Sequence, residues 1–269
     1  MALEHEILAL RTATALVEAD HVACVRVSGP AAFEAVDRVC PIELTLQDAQ
    51  MKPSLLLTER GLPFADLLVC RDDESFFLLA EGPTPAELEA YLCAGFPPGA
   101  EVTIERLDET HRVLGLHGPY AWELCAAFLG PDLPGMPYLS LLRTEGVICF
   151  RSGKTGEYGY DLLVPAAEAA QARARIEELG RAFDLAHASP EALDQCALEN
   201  WFFNVRREGR AGLSPLELGL QWRVSYLKDY PGAAALAEMR RRGPRRRLVC
   251  VLGAGPMAEG DRIALDGEP

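Results

Sequence analysis

One strand-turn-helix pattern occurs twice in this chain, and it restricts the fold more than any other feature. Val25-Arg-Val-Ser-Gly-Pro-Ala-Ala-Phe-Glu34 is matched by Val113-Leu-Gly-Leu-His-Gly-Pro-Tyr-Ala-Trp-Glu123. Gly29, Pro30, Ala32, Phe33 and Glu34 return as Gly118, Pro119, Ala121, Trp122 and Glu123. In each copy an apolar, β-prone run stops at Gly-Pro and a helical pattern begins. Two copies of one supersecondary unit predict two similar α+β halves, each an antiparallel sheet with helices on one face.

The remaining periodicities fit that plan. Ile7, Leu10, Ala13, Leu16 and Val17 lie at helical spacing and predict an opening helix over 6–19. Strands are expected at 21–27, 53–58, 64–71, 75–80 and 101–106 in the first half, and at 113–117, 145–151 and 159–164 in the second. A helix capped by Ser28, with Pro30 just inside its start, is expected to run to Val39, followed by another over 84–94. Further helices are expected at 119–128, 166–183, 190–203 and 233–242, and a last strand over 248–252. The segments divide into a first α+β unit at 1–108, a second at 109–243 and a remnant at 244–269.

Composition narrows the function. A formal net charge of −14 argues against binding phosphate backbones, so nucleic acid is not an expected partner. No apolar run approaches the ~18 residues of a membrane span, and Met1-Ala-Leu-Glu-His-Glu6 lacks the basic and apolar regions of a signal peptide. A cytoplasmic protein without membrane contact is expected. The eight cysteines contain no Cys-x-x-Cys pair and sit mostly in apolar segments, which reads as buried thiols, and the five histidines are dispersed, so no metal site is expected.

Phe150-Arg-Ser-Gly-Lys-Thr-Gly-Glu-Tyr-Gly-Tyr-Asp-Leu-Leu163 reads as strand, glycine-punctuated turn, strand. Locally it is either a polar hairpin or a turn whose glycines admit a ligand beside Glu157 and Asp161. Gly153-Lys-Thr155 is not a phosphate loop: Ile148 stands where the first glycine belongs, and a strand follows. Gly253-Ala-Gly-Pro-Met-Ala258 leaves too little chain for a dinucleotide-binding βαβ unit. The arginines at 240–242 and 245–247 are either a solvated helix end or a site for an anionic tail or acidic partner.

Thr155-Gly-Glu-Tyr-Gly-Tyr-Asp-Leu162 resembles the Thr-Gly-Glu-x-Gly-x-Glu signature of the glycine-cleavage T-protein family, the tetrahydrofolate-dependent aminomethyltransferases. Both Gly-Pro units resemble that family's, in order. Asp66-Leu-Leu-Val69 is similar to its Asp-Asp-Leu-Ile-Val strand, and Pro215-Leu-Glu-Leu-Gly-Leu-Gln-Trp222 to its Thr-Pro-x-Glu-x-x-Leu-x-Trp segment. The resemblance implies two α+β domains around a central folate channel and the start of a small C-terminal β-barrel, with the chain beginning after the family's first strands and stopping inside that barrel.

It also implies roles. Asp66 matches the catalytic aspartate near folate N5, where a fixed carboxylate can accept a proton and stabilise positive charge. Asp161 matches the acid that clasps the pterin edge, one methylene shorter. Glu157 and Glu199 match further positions of the folate-contacting segments, and Trp222 matches the family tryptophan, either packing against the ligand or filling the core. Departures cluster there: Glu81 replaces an asparagine, Pro53 and Lys154 tyrosines, and Leu193 an arginine, while Arg-Leu-Glu-Ala-Gly becomes Ala197-Leu-Glu-Asn-Trp201. Glu81 and Lys154 thus bring a new charge pattern to the implied ligand. The expected function is a folate-dependent one-carbon transferase taking an aminomethyl or methyl group from a small-molecule donor. The alternatives are a folate-binding or accessory subunit completed by a partner protein, and a transferase with a changed ligand.

Overall fold

The computed structural model describes residues 3–144, 146–251, 255, 257–258 and 260–262. The first half runs α1 (Leu3–Thr12), β1 (Thr14–Glu18), β2 (Val22–Ser28), α2 (Ala32–Val39), β3 (Met51–Leu57), β4 (Pro63–Asp72), β5 (Ser75–Glu81), α3 (Pro85–Gly95) and β6 (Thr103–Arg106). There follow β7 (His111–His117), α4 (Ala121–Leu129), β8 (Ser140–Arg143), β9 (Ile148–Arg151), β10 (Gly159–Pro165), α5 (Ala169–Gly180), β11 (Leu185–His187), α6 (Pro190–Glu199) and α7 (Ala233–Arg242). One sheet has five strands in the order β3-β4-β5-β2-β6, and the other six in the order β11-β1-β7-β10-β9-β8. The pairings are antiparallel except for β1 with β11.

Helices cover the outer face of each sheet. α2 and α3 close a core containing Val25, Val36, Leu67, Leu78 and Leu92, while α4 and α5 close one containing Leu116, Leu124, Tyr160, Leu162 and Ile176. The inner faces meet each other: Cys24, Cys70, Phe77 and Leu79 pack with Val113, Leu141, Phe150 and Leu163. Phe77 and Phe150 meet edge to face, with ring centroids 5.5 Å apart. The α+β class, the paired antiparallel sheets and the helices on one face of each all agree with the expectation from the repeat.

The two copies of the repeat have the same backbone. Gly29 (φ 114) and Gly118 (φ 126) both have positive φ, which residues with a β-carbon rarely adopt. Each lies under a carbonyl, so that an added Cβ would stand 2.5 Å from the oxygen of Glu101 or of Ala13. Only glycine tolerates both conditions. The helices start later than expected, at Ala32 and Ala121, after caps at Ala31 and Tyr120 that make no side-chain hydrogen bond. Ser28 is therefore the last residue of β2 and caps nothing, and Pro30 lies in the turn.

Other differences have local causes. The opening helix stops at Thr12, and Thr14–Glu18 forms a strand between β7 and β11. Ala15, Leu16 and Val17 are all buried, and a short all-apolar run satisfies helix and strand periodicity alike. The short strands β8 and β11 lack a distinct pattern. Leu248–Val251, expected to begin the last strand, is irregular, and Leu252, with several later residues of the implied barrel segment, lies outside the described residues. Among the described residues no helix is long and apolar enough to cross a membrane.

Candidate functional site

Strand alternation builds the site. In the β4–β5 pairing Asp66 stands opposite Glu81, Leu68 opposite Leu79 and Cys70 opposite Phe77. Successive side chains alternate faces, so these six share the inner face. On β10, Asp161 and Leu163 share a face in the same way, opposite Gly115 and Val113 of β7. The apolar members close the sheets on each other, and the charged ones stand at one end, where a cavity of about 950 Å³ opens. The turn after β9 contributes Ser152, Gly153, Lys154 and Thr155 to its wall, and Trp222 and Arg223 come from the segment before α7.

An alternating chain of charges starts in the wall of this cavity. Asp66, only 6% exposed, accepts hydrogen bonds on both oxygens, from Arg223 at 2.6 Å and from Lys154 Nζ at 2.9 Å. Lys154 also donates to Glu81 at 2.5 Å. Arg206 continues the series, 3.6 Å from Glu81 and 2.5 Å from Asp194. Burial alone would raise the Asp66 carboxyl, but Lys154 and Arg223 outweigh it and hold the group below the usual carboxylate range. Burial would likewise lower the Lys154 ammonium, and Asp66 and Glu81 outweigh it in the other direction. Both groups are charged at neutral pH, and removing one partner leaves an uncompensated buried charge.

Asp161 sits in a different environment. Its Oδ2 accepts the Ser152 hydroxyl at 2.8 Å, while Oδ1 accepts no hydrogen bond among the described residues and lies 4.0 Å from His117 Nε2. Burial pushes this carboxyl up to about 6, against the Ser152 hydrogen bond. Burial pushes His117 down to about 4, with His21 adding to the effect. At that separation, with a neutral imidazole, His117 and Asp161 are not an ion pair. Asp161 is thus a cavity carboxyl raised toward neutrality by burial, with one oxygen free to accept a hydrogen bond.

Five of the residues singled out in the sequence, Asp66, Glu81, Lys154, Asp161 and Trp222, line this one cavity. Trp222 is 58% exposed, with the Arg223 guanidinium 4.8 Å from its ring centroid. Glu157 and Glu199 are not among the lining residues. They flank Arg11 of α1, at 3.8 and 2.6 Å, and Arg11 also donates to the Thr155 carbonyl. Their observed contacts secure the turn from outside. Arg223, Arg206, Asp194, His21 and Ser152 escaped the sequence reading. His117 had a signal, because it precedes the second Gly-Pro, and Arg223 directly follows the matched tryptophan.

The family described as the GCVT N-terminal domain matches residues 1–228. An aminomethyltransferase of Rubrobacter xylanophilus is 30% identical over 276 aligned residues, covering 98% of this chain and 72% of the relative. The aminomethyltransferase of Thermotoga petrophila is 25% identical, with 98% of this chain and 74% of the relative covered. The crystal structure of glycine cleavage system aminomethyltransferase T from Bartonella henselae superposes with a TM-score of 0.80 at 25% identity, covering 90% of this chain and 67% of that one. With the fold matched and the family model spanning residues 1–228, the chain belongs to the glycine-cleavage T-protein family of aminomethyltransferases, as a diverged member shorter than these relatives.

Proposed function

We propose that the cavity binds tetrahydrofolate and that the chain works as a one-carbon transferase, moving an aminomethyl or methyl group from a small-molecule donor. The observation that supports this best is the convergence of Asp66, Glu81, Lys154, Asp161 and Trp222 on one cavity from distant segments. The donor set suits a pterin. Asp161 keeps Oδ1 free for a ring N–H while Ser152 fixes Oδ2, and the volume accommodates a ligand of folate size.

Tetrahydrofolate, when bound, supplies the N5 amine that carries the one-carbon unit. Asp161 holds and orients the ring edge, and His117 stays neutral beside it. Asp66 contributes a fixed negative charge toward positive charge developing at the amine. Lys154 and Arg223 partly cancel that charge and occupy both Asp66 oxygens, so Asp66 is a poor proton acceptor.

This capping favours a second reading, a folate-binding protein that does not itself transfer. Calorimetric titration with tetrahydrofolate and 5-methyltetrahydrofolate, followed by a transfer assay, separates the two. We expect binding that weakens about tenfold or more in Asp161→Asn, equivalent to about 1.4 kcal/mol. Transfer that disappears in Asp66→Asn while affinity is retained supports the enzyme. Binding with no transfer in the wild-type chain supports the second reading, and no heat with either folate overturns both.

A further inference from the structure

The end of α6 carries a tryptophan where the backbone calls for glycine. Phe202 N–H donates to the Ala197 carbonyl at 2.8 Å, and Trp201 N–H to the Leu198 carbonyl at 3.0 Å. These are the two bonds of a Schellman motif, with Trp201 at the left-handed position and φ 56. A β-carbon is disfavoured there, and glycine normally fills the site. The core does not account for the indole, which is 54% exposed. It lines the mouth of the cavity together with Trp222, Leu198 and Val249.

The position is also firmly held. Asn200 donates from Nδ2 to the Thr155 carbonyl at 2.7 Å and to the Cys196 carbonyl at 2.9 Å, tying the end of α6 to the turn that carries Lys154. Trp201 is therefore a strained residue, fixed in place, with a large flat side chain at the rim of a ligand-sized cavity. Strain of this kind collects at ligand clamps, where the contact made by the side chain offsets its cost to folding.

We propose that Trp201 contacts the ligand and sets specificity, its indole packing on a planar aromatic segment that follows the inner ring toward the mouth. This rests on the reading of the cavity as a folate site. There, Asp161 faces the pterin and Trp201 takes the arylamide that joins the pterin to its carboxylate tail. An aromatic contact of this kind changes affinity by about tenfold.

The test compares wild type, Trp201→Gly and Trp201→Asn, since both replacements accept the left-handed backbone. The probes are tetrahydrofolate and 6-methyltetrahydropterin, which has the reduced ring system without the arylamide. Affinities come from calorimetry and stabilities from thermal unfolding. Both variants are expected to lose about tenfold in tetrahydrofolate affinity and to bind the pterin as the wild type does. Their melting temperatures should hold or rise, by roughly 2–4 °C. A fall in melting temperature in both variants assigns Trp201 to the packing of the fold and overturns the proposal. Unchanged tetrahydrofolate affinity, or equal losses for both probes, also overturns it while leaving the folate reading intact. Failure of the wild-type chain to bind either probe removes the folate reading, and this proposal with it.

Discussion

A carboxylate buried beside two histidines titrates differently from one held between two cations, and the cavity contains both kinds, in Asp161 and Asp66. Asp161 has a folded value near 6 against an ordinary 3.8. The folded state therefore binds the extra proton between those values, and stability grows as pH falls through that window. His117 works the other way: with a folded value near 4 against 6.5, it costs stability as pH falls between the two. Urea unfolding between pH 4 and 7 should resolve the Asp161 contribution. Asp161→Asn should be more stable than wild type at pH 7, and that advantage should shrink between pH 6 and 4 by up to about 1.4 kcal/mol per pH unit. A difference independent of pH would mean that Asp161 is solvated. At this scale the sequence was informative for Asp66, Glu81, Lys154 and Asp161, because the family motifs, met in order, mark those positions as matches or departures. It could not reveal that Lys154 and Arg223 close on Asp66, since that contact joins three segments distant in the chain.

The repeated turn accounts for the correct reading at the scale of elements. Its glycines carry a steric requirement that is visible in a sequence, whereas Ala15-Leu16-Val17 carries only apolarity, which fits a helix as well as the strand it forms. Gly118→Ala should cost about 2–3 kcal/mol, because the new methyl meets the Ala13 carbonyl oxygen at 2.5 Å on a backbone with φ 126. Gly29→Ala should cost a similar amount against Glu101. Chemical denaturation of both variants checks this. Loss at only one site would mean that the two copies are alike in sequence but not in mechanics. The short strands β8 and β11 were illegible for the opposite reason: their four and three residues take their conformation from the strands beside them.

Across the whole molecule, the contact between inner sheet faces aligns the two halves of the cavity wall. Phe77 is 3% exposed and Phe150 1%, and either substitution to alanine should destabilise by about 3–5 kcal/mol. A double-mutant cycle should show a coupling of about 0.5–1.5 kcal/mol from their edge-to-face contact. Purely additive losses would mean that the sheets are held by the surrounding aliphatic packing instead. A further consequence lies in the placement of β1, whose two strand neighbours, β7 and β11, come much later in the chain. The five-stranded sheet is complete once Arg106 has been made. β1 cannot gain its parallel neighbour until Leu185–His187 emerges from the ribosome, at synthesis rates of roughly 5–20 residues per second. The apolar run of β1 thus stays incompletely paired until nearly 170 further residues have been made, long after the five-stranded sheet has all its strands.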